Sequence, residues 1–141
     1  MADIAVSAEG VRLTHVQNSE RFDGLAGEAI TAGQLVYLAT TGKFMVADAN
    51  VAGKQQARGI ALTSAGTGRP GFTYLKRGPV AGFTTNMPAY DALVYLSDTA
   101  GAVGTTVGTM TVPVGRVMQI PDGGTPTKVI YFDFPGNTVF A

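Results

Sequence analysis

One segment of the chain carries the pattern that cradles a pyrophosphate in dinucleotide-binding proteins. Residues 66–71 read GTGRPG and match GxGxxG, and Asp91 follows about 20 residues later. Such a loop binds phosphate only when a helix follows, because the helix N-terminus supplies the amide donors. Here Pro70 interrupts the pattern and residues 72–75 predict a strand. The sequence therefore predicts a hairpin loop rather than a dinucleotide site.

Nucleophiles and metal ligands are scarce in this chain. His15 is the only histidine and there is no cysteine, so a metal would have to rely on carboxylates with at most one imidazole. Ser64 and Ser97 are not in a GxSxG turn, and no second histidine exists to act as their base. We expect neither a metal site nor a serine hydrolase site.

Two carboxylates, Asp91 and Asp98, flank the tetrapeptide LVYL at 93–96 and could form an acid pair of the kind that glycosidases use. Their neighbours are Tyr90, Thr99 and small residues, which favour turns rather than a catalytic cleft. Lys54 and the pair at 76–77 fit solvated surface positions. We therefore predict that the chain is not an enzyme and binds no cofactor.

The composition excludes several classes of partner. Charged residues make up 14% of the chain and apolar residues 45%, against roughly 25% charged residues in an average domain. Few charges are available to cover the surface, which favours an oligomer or a docked protein. The ten acidic and ten basic residues form no basic stripe, so we expect no nucleic acid partner.

The sequence also predicts no membrane partner and no secretion. No run of about 18 apolar residues is long enough to span a bilayer. Asp3 stands where a signal peptide needs basic residues. We expect the protein to be made and kept in the cytoplasm.

Glycine at 19 positions and proline at 7 divide the chain into short β-branched and aromatic runs. This pattern predicts an all-β fold. A short helix is expected only at 48–56, where Asp48 or Asn50 could cap it. The predicted strands are 34–39, 43–47, 58–62, 72–77, 80–84, 93–96, 112–120 and 128–134.

A direct internal repeat is the most informative feature of the sequence. LVYL occurs at 35–38 and again at 93–96, and each copy is followed by a turn, a strand that begins with glycine, a Gly/Pro-rich loop and an aromatic strand. The repeat predicts two similar three-strand modules, at about 27–84 and 87–134, that close against each other into a small barrel or sandwich. Residues 25–141 would form this single domain. Residues 1–24 lie outside the repeat and predict an extended N-terminal arm.

The chain resembles small phage head proteins of the capsid decoration, or cement, type. The segments that carry the likeness keep the family's order over roughly residues 25–134. They are GEAITAGQLVYL at 27–38, ARGIAL at 57–62, GPV at 78–80, LVYL at 93–96 and PVGRV at 113–117.

The resemblance implies a β-barrel or β-tulip-like protein, commonly a homotrimer, on the exterior of the virion. It would be made in the host cytoplasm, would bind the shell of the major capsid protein and would stabilise that shell. We place the shell contact on the arm, at Leu13, Val16 and Phe22, since exposed apolar side chains can anchor an interface. Apolar residues near the C-terminus fit a subunit contact or closure of the chain's own barrel. They are Phe134, Val139 and Phe140.

Two other interpretations remain open. A phage tail or fibre accessory module would bind protein or glycan through its Gly-rich loops. An enzyme-associated β-clip domain would share the turn at 27–38, although such a domain is expected beside a catalytic domain.

Overall fold

The structure is a computed structural model that describes residues 3–13, 19–66, 68–122, 124–134 and 140. Over these residues the chain is all-β, as predicted, with a single 3-10 turn at Ala8–Gly10. No described helix is long and apolar enough to cross a membrane. The strands are β1 (Asp3–Val6), β2 (Arg12–Leu13), β3 (Glu20–Leu25), β4 (Leu35–Leu38), β5 (Phe44–Val46), β6 (Gly59–Ala61), β7 (Gly71–Ala81), β8 (Phe83–Thr85), β9 (Leu93–Leu96), β10 (Val103–Gly104), β11 (Pro113–Asp122) and β12 (Thr125–Asp133).

The described strands form one curled sheet, in the order β5-β4-β6-β7-β12-β11-β9-β10-β1-β8. β2 and β3 also pair with β7, and all pairs of named strands are antiparallel. Each predicted strand lies on an observed one, although 72–77 and 80–84 share the long β7. The short helix expected at 48–56 is wrong: this segment is a series of turns, in which the Asp48 carboxylate accepts the Asn50 N–H at 2.9 Å.

β7 has partners along both of its edges. At Leu75 its neighbours are Ile60 of β6 and Arg21 of β3. At Val80 its neighbours belong to β12 and β2. β6 and β12 therefore follow one another along one edge of β7, while β3 and β2 occupy the other edge. The single strand joins the two halves of the molecule.

A register change within β7 lets it serve both halves. Leu75 and Val80 lie in the same core cluster, although strict alternation would place an odd and an even residue on opposite faces. The partner register changes between them: Glu20 pairs with Arg77, and Arg21 pairs with Leu75, so Lys76 is passed over. This bulge returns the core-facing side chains to the same side.

The two halves of the repeat have the same strand order and the same register. In each half the LVYL strand pairs with a short hairpin partner, β5 or β10, and with the strand that contains the glycine. Each module thus has four strands where the sequence predicted three. Leu35 pairs with Ile60 in the first module as Leu93 pairs with Arg116 in the second. In the same way Val36 pairs with Gly59 as Val94 pairs with Gly115. Ile60 pairs with Leu75 as Arg116 pairs with Tyr131.

Equivalent residues of the two modules nevertheless lie in different environments. The main core is the larger cluster of buried side chains, to which both modules contribute. Leu35 is 0% exposed in this main core, whereas Leu93 is 36% exposed. The main core contains Leu35 of the first module together with Val94 and Ile130 of the second. We call the face that carries Leu35 or Leu93 the outer face of its module, and the face that carries Val36 or Val94 the inner face. The outer face of the first module therefore packs on the inner face of the second. The equivalent outer face of the second module, at Leu93, lines an open groove with Tyr131.

A second, smaller core lies inside the first module. Its strands curl round it, and β5 meets the end of β3 through a parallel bridge between Ala26 and Phe44. The segment after β3 covers this core, with Ile30 and Ala65 exchanging backbone hydrogen bonds at 2.9 and 2.8 Å. The core residues are Ala26, Ile30, Val36, Phe44, Ala61, Ala65 and Phe72.

The N-terminal segment differs from the extended arm that the sequence predicted. Within 1–24, the described residues contribute β1, β2 and most of β3 to the chain's own sheet. β1 lies between β10 and β8, its Ile4 is buried, and the buried Ser97 hydroxyl donates to the Asp3 carboxylate. The correction has a physical reason: the backbone groups and Ile4 find partners in this same chain.

The C-terminal aromatic residues pack on their own chain. Phe134 is buried and stacks on Phe132 with ring centroids 5.8 Å apart. Phe140 is also buried, and the Gln56 side chain accepts its N–H at 2.8 Å and donates to its carbonyl oxygen at 2.7 Å. Neither residue is available as the subunit contact that the sequence allowed, because each is covered by this chain. Val139 lies outside the described residues.

Substitution of the repeated leucines provides a test of this asymmetric packing. We expect Leu35→Ala to lower the free energy of unfolding by about 2–5 kcal/mol, because it leaves a cavity in the main core. Leu93→Ala is the matched control at the equivalent position and should cost less than about 1 kcal/mol. Urea unfolding followed by circular dichroism measures both. Equal losses would contradict the assignment of the two faces.

A glycine in β11 provides a second test. A Cβ at Gly115 would collide with the carbonyl oxygen of Tyr131, which is backbone and cannot move aside cheaply. We expect Gly115→Ala to destabilise the fold by at least about 1 kcal/mol. Gly71 in β7 has open space around its Cβ position, so Gly71→Ala should change stability by less than about 0.5 kcal/mol. The same unfolding measurement decides, and a Gly115→Ala protein as stable as the parent would refute the close approach.

Candidate functional site

The glycine-rich segment forms a tight turn, as the sequence predicted. Gly66 and Arg69 exchange backbone hydrogen bonds, both at 3.1 Å. β7 begins at Gly71, directly after this turn. A strand therefore stands where a phosphate-binding loop requires the N-terminus of a helix.

The serines considered as nucleophiles have structural partners. The Ser64 hydroxyl accepts the Ala32 N–H at 3.0 Å. The Ser97 hydroxyl donates to Asp3 and accepts the Thr99 N–H at 2.9 Å. The Ser64 hydroxyl therefore fixes the backbone at Ala32. The Ser97 hydroxyl fixes the backbone at Thr99 and holds the N-terminal strand through Asp3.

The two carboxylates beside the second LVYL strand also organise turns. Asp98 accepts the Thr109 N–H at 2.7 Å and the Thr109 hydroxyl at 2.9 Å. Asp91 has a φ of +68° and lies 3.8 Å from the guanidinium of Arg116. Among the described residues no group of three or more histidine, cysteine, aspartate or glutamate side chains could hold a metal ion. His15 lies outside the described residues.

The feature that stands out instead is an apolar groove at one end of the first module, which we call the barrel mouth. It has a volume of about 500 Å³. Phe22 of β3 and Leu38 of β4 lie at its rim and are 47% and 54% exposed. Exposed apolar side chains grouped in this way are typical of an interaction surface. The described lining residues are Phe22, Leu38, Phe44, Gln56, Arg58, Tyr74, Lys76 and Phe134.

Aromatic contacts hold the rim of the barrel mouth in place. The Phe44 and Tyr74 ring centroids are 4.6 Å apart, and the Phe22 ring lies 5.9 Å from that of Tyr74. These separations are in the range at which aromatic pairs attract one another. Partial burial raises the pKa of the Tyr74 hydroxyl, because the surrounding apolar groups disfavour the phenolate. Phe22 is thus exposed but positioned by a half-buried neighbour, Tyr74.

The charge at the barrel mouth is one-sided. Arg58 and Lys76 line it, and no carboxylate does so among its described lining residues. Arg77 is the next residue along β7 after Lys76, and its guanidinium lies 3.1 Å from Asp133 and 3.5 Å from Glu20. Its hydrogen bond to Asp133, and then the charges of Asp133 and Glu20, raise the pKa of Arg77. These exposed ion pairs of Arg77 contribute little to the stability of the fold. The feature relevant to binding is the positive charge of Arg58 and Lys76 at the mouth.

The structure separates the residues that the sequence predicted as shell contacts. Phe22 lies at the barrel mouth, whereas Leu13 lies in β2 with its backbone opposite Val80. Val16 lies outside the described residues. Leu38 was missed because the LVYL pattern predicts a core strand. It is exposed because it lies at the open barrel mouth, whereas the equivalent Leu96 packs in the main core. No local signal in the sequence distinguishes it from the buried Leu96 of the second copy.

Comparisons of the chain with protein-family models, with curated proteins and with solved structures found no match.

Proposed function

We propose that this chain is a structural virion protein that binds the outer surface of an assembled phage capsid and stabilises it without catalysis. The observation that carries the proposal is the exposed apolar rim of the barrel mouth, Phe22 and Leu38, on a chain with only 14% charged residues. The resemblance of residues 25–134 to capsid decoration proteins supports the choice of a capsid shell as the partner.

The contact would follow the usual organisation of a protein interface. Phe22 and Leu38 would form the apolar centre of the contact with the shell and would lose their water, and the polar side chains of Gln56 and Lys76 would border that contact. Phe22 is the expected anchor, because large aromatic side chains at the centre of an interface carry much of the binding energy. Its contact with Tyr74 lowers the entropy cost of fixing the ring.

Stabilisation would arise through linkage, with no turnover. A protein that binds the assembled shell and not its separated subunits stabilises the shell by about 2.7 kcal/mol per site at a free concentration of 100 times Kd. The proposed homotrimer would strengthen the attachment further, since the first contact raises the effective concentration of the other two. Individually weak contacts would then suffice.

Binding to shells tests this proposal directly. Purified protein is mixed with expanded, undecorated capsids of its source phage and sedimented, and bound protein is measured against concentration. We expect saturable binding, with Phe22→Ser weakening the affinity at least about tenfold because the anchor is lost. Val107→Ser is the matched control, since Val107 is equally exposed, at 47%, and does not line the barrel mouth.

Two outcomes would count against the proposal. Absence of binding at micromolar protein concentration would reject the capsid function and favour the tail or fibre module. Equal binding by the Phe22→Ser and Val107→Ser proteins would reject the barrel mouth as the contact.

A further inference from the structure

The outer edge of β3 presents backbone groups away from β7. The Ala26 N–H donates to the Pro70 carbonyl oxygen at 2.8 Å, at the end of the ladder that pairs Phe22 with Tyr74. Because backbone direction alternates along an antiparallel strand, Phe22 also directs its N–H and C=O towards β7. Arg21 and Asp23 must therefore direct their backbone N–H and C=O groups away from β7.

These outward groups have no partner within the described part of the chain. β3 pairs with β7, and no backbone hydrogen bond of Arg21 or Asp23 joins another described strand on the outer side. Directly after β3 this edge is occupied by β5, through the parallel bridge of Ala26 with Phe44 and the Gly27 N–H that donates to Phe44 at 2.8 Å. The side chains of Arg21, Phe22 and Asp23 are all exposed. A short open edge is therefore centred on Phe22.

The charge pattern of this edge is complementary to itself. In an antiparallel pair of two identical edges, outward-directed residues must lie opposite outward-directed residues. If Phe22 lies opposite Phe22, Arg21 of each copy faces Asp23 of the other. A shift of two residues in either direction would instead oppose Arg21 to Arg21 or Asp23 to Asp23, which is unfavourable. Only one central register therefore satisfies both the backbone and the charges.

We propose that a second copy of this chain pairs with β3 across a two-fold axis through Phe22. Each Arg21–Asp23 pair exchanges two backbone hydrogen bonds and brings opposite charges together. The two Phe22 rings meet at the close, non-hydrogen-bonded position, where aromatic cross-strand pairs are favourable. The contact is isologous, as a two-fold interface requires.

The charged and the aromatic contacts use opposite faces of the extended sheet. Phe22 lies on the face of Tyr74, with ring centroids 5.9 Å apart. Asp23 lies on the other face, where its Oδ1 accepts the Thr73 hydroxyl at 3.1 Å. Among the described residues no donor forms a hydrogen bond to its second oxygen, Oδ2, so this oxygen can receive Arg21 of the second copy. The intrachain bond to Thr73 holds Asp23 in place for this contact.

This pairing does not depend on the capsid function. A two-fold contact through β3 is distinct from a three-fold contact, so it joins two monomers or two trimers equally well. It covers Phe22, and a shell contact through Phe22 would therefore exclude it. Measurements on the protein without shells test the pairing alone.

Exchange of the charges at Arg21 and Asp23 tests the proposed pairing. Sedimentation equilibrium compares the parent protein with Arg21→Asp, Asp23→Arg and the double variant that carries both changes. Each single variant opposes like charges in the only allowed register, so we expect its association constant to fall at least about tenfold and its mass to halve at matched concentration. The double variant restores opposite charges and should recover the mass of the parent. Lys54→Asp, with the same charge change as Arg21→Asp at an exposed turn, should leave the mass unchanged.

Recovery by the double variant also excludes misfolding as the cause of the loss, because it contains both substitutions. The proposal is overturned if the parent has the same mass as the single variants. It is equally overturned if a single variant keeps the mass of the parent, or if the double variant stays dissociated.

Discussion

The architecture depends on one strand that belongs to both halves of the molecule. β7 pairs first with β6 of its own module and then with β12 of the other, while β3 and β2 cover its second edge. A strand in this position must present apolar side chains to one core on both sides of the junction. The bulge at Lys76 achieves this by changing the alternation between Leu75 and Val80.

The junction also explains why a repeated sequence does not produce two equivalent surfaces. Since the modules keep the same register, symmetric packing would give Leu35 and Leu93 the same exposure to solvent. The outer face of the first module packs instead on the inner face of the second, an arrangement comparable to a heterologous interface. One outer face is thereby buried, and the other, at Leu93 and Tyr131, is left as an open groove.

The inner face of the first module needs a separate cover, and this requirement creates the candidate site. The segment 26–30 covers one end of the small core, where Ile30 is hydrogen-bonded to Ala65. At the other end, Phe22 and Leu38 remain exposed around Tyr74, beside two cationic side chains. The apolar mouth is thus a consequence of covering the small core at one end only, and its position on the strands of the sheet preorganises it.

The sequence alone was sufficient for the all-β class, the positions of most strands and the repeat, because these follow from local signals: β-branched runs, glycine and proline, and four identical residues. It was also sufficient to interpret residues 66–71 as a turn, since Pro70 and the following strand pattern are local. Which leucine of the repeat is buried, where 1–24 pairs and which apolar residues remain exposed were decided only by the tertiary structure. These properties depend on contacts between residues such as Asp3 and Ser97, far apart in the chain, and no local pattern determines how two similar modules stack.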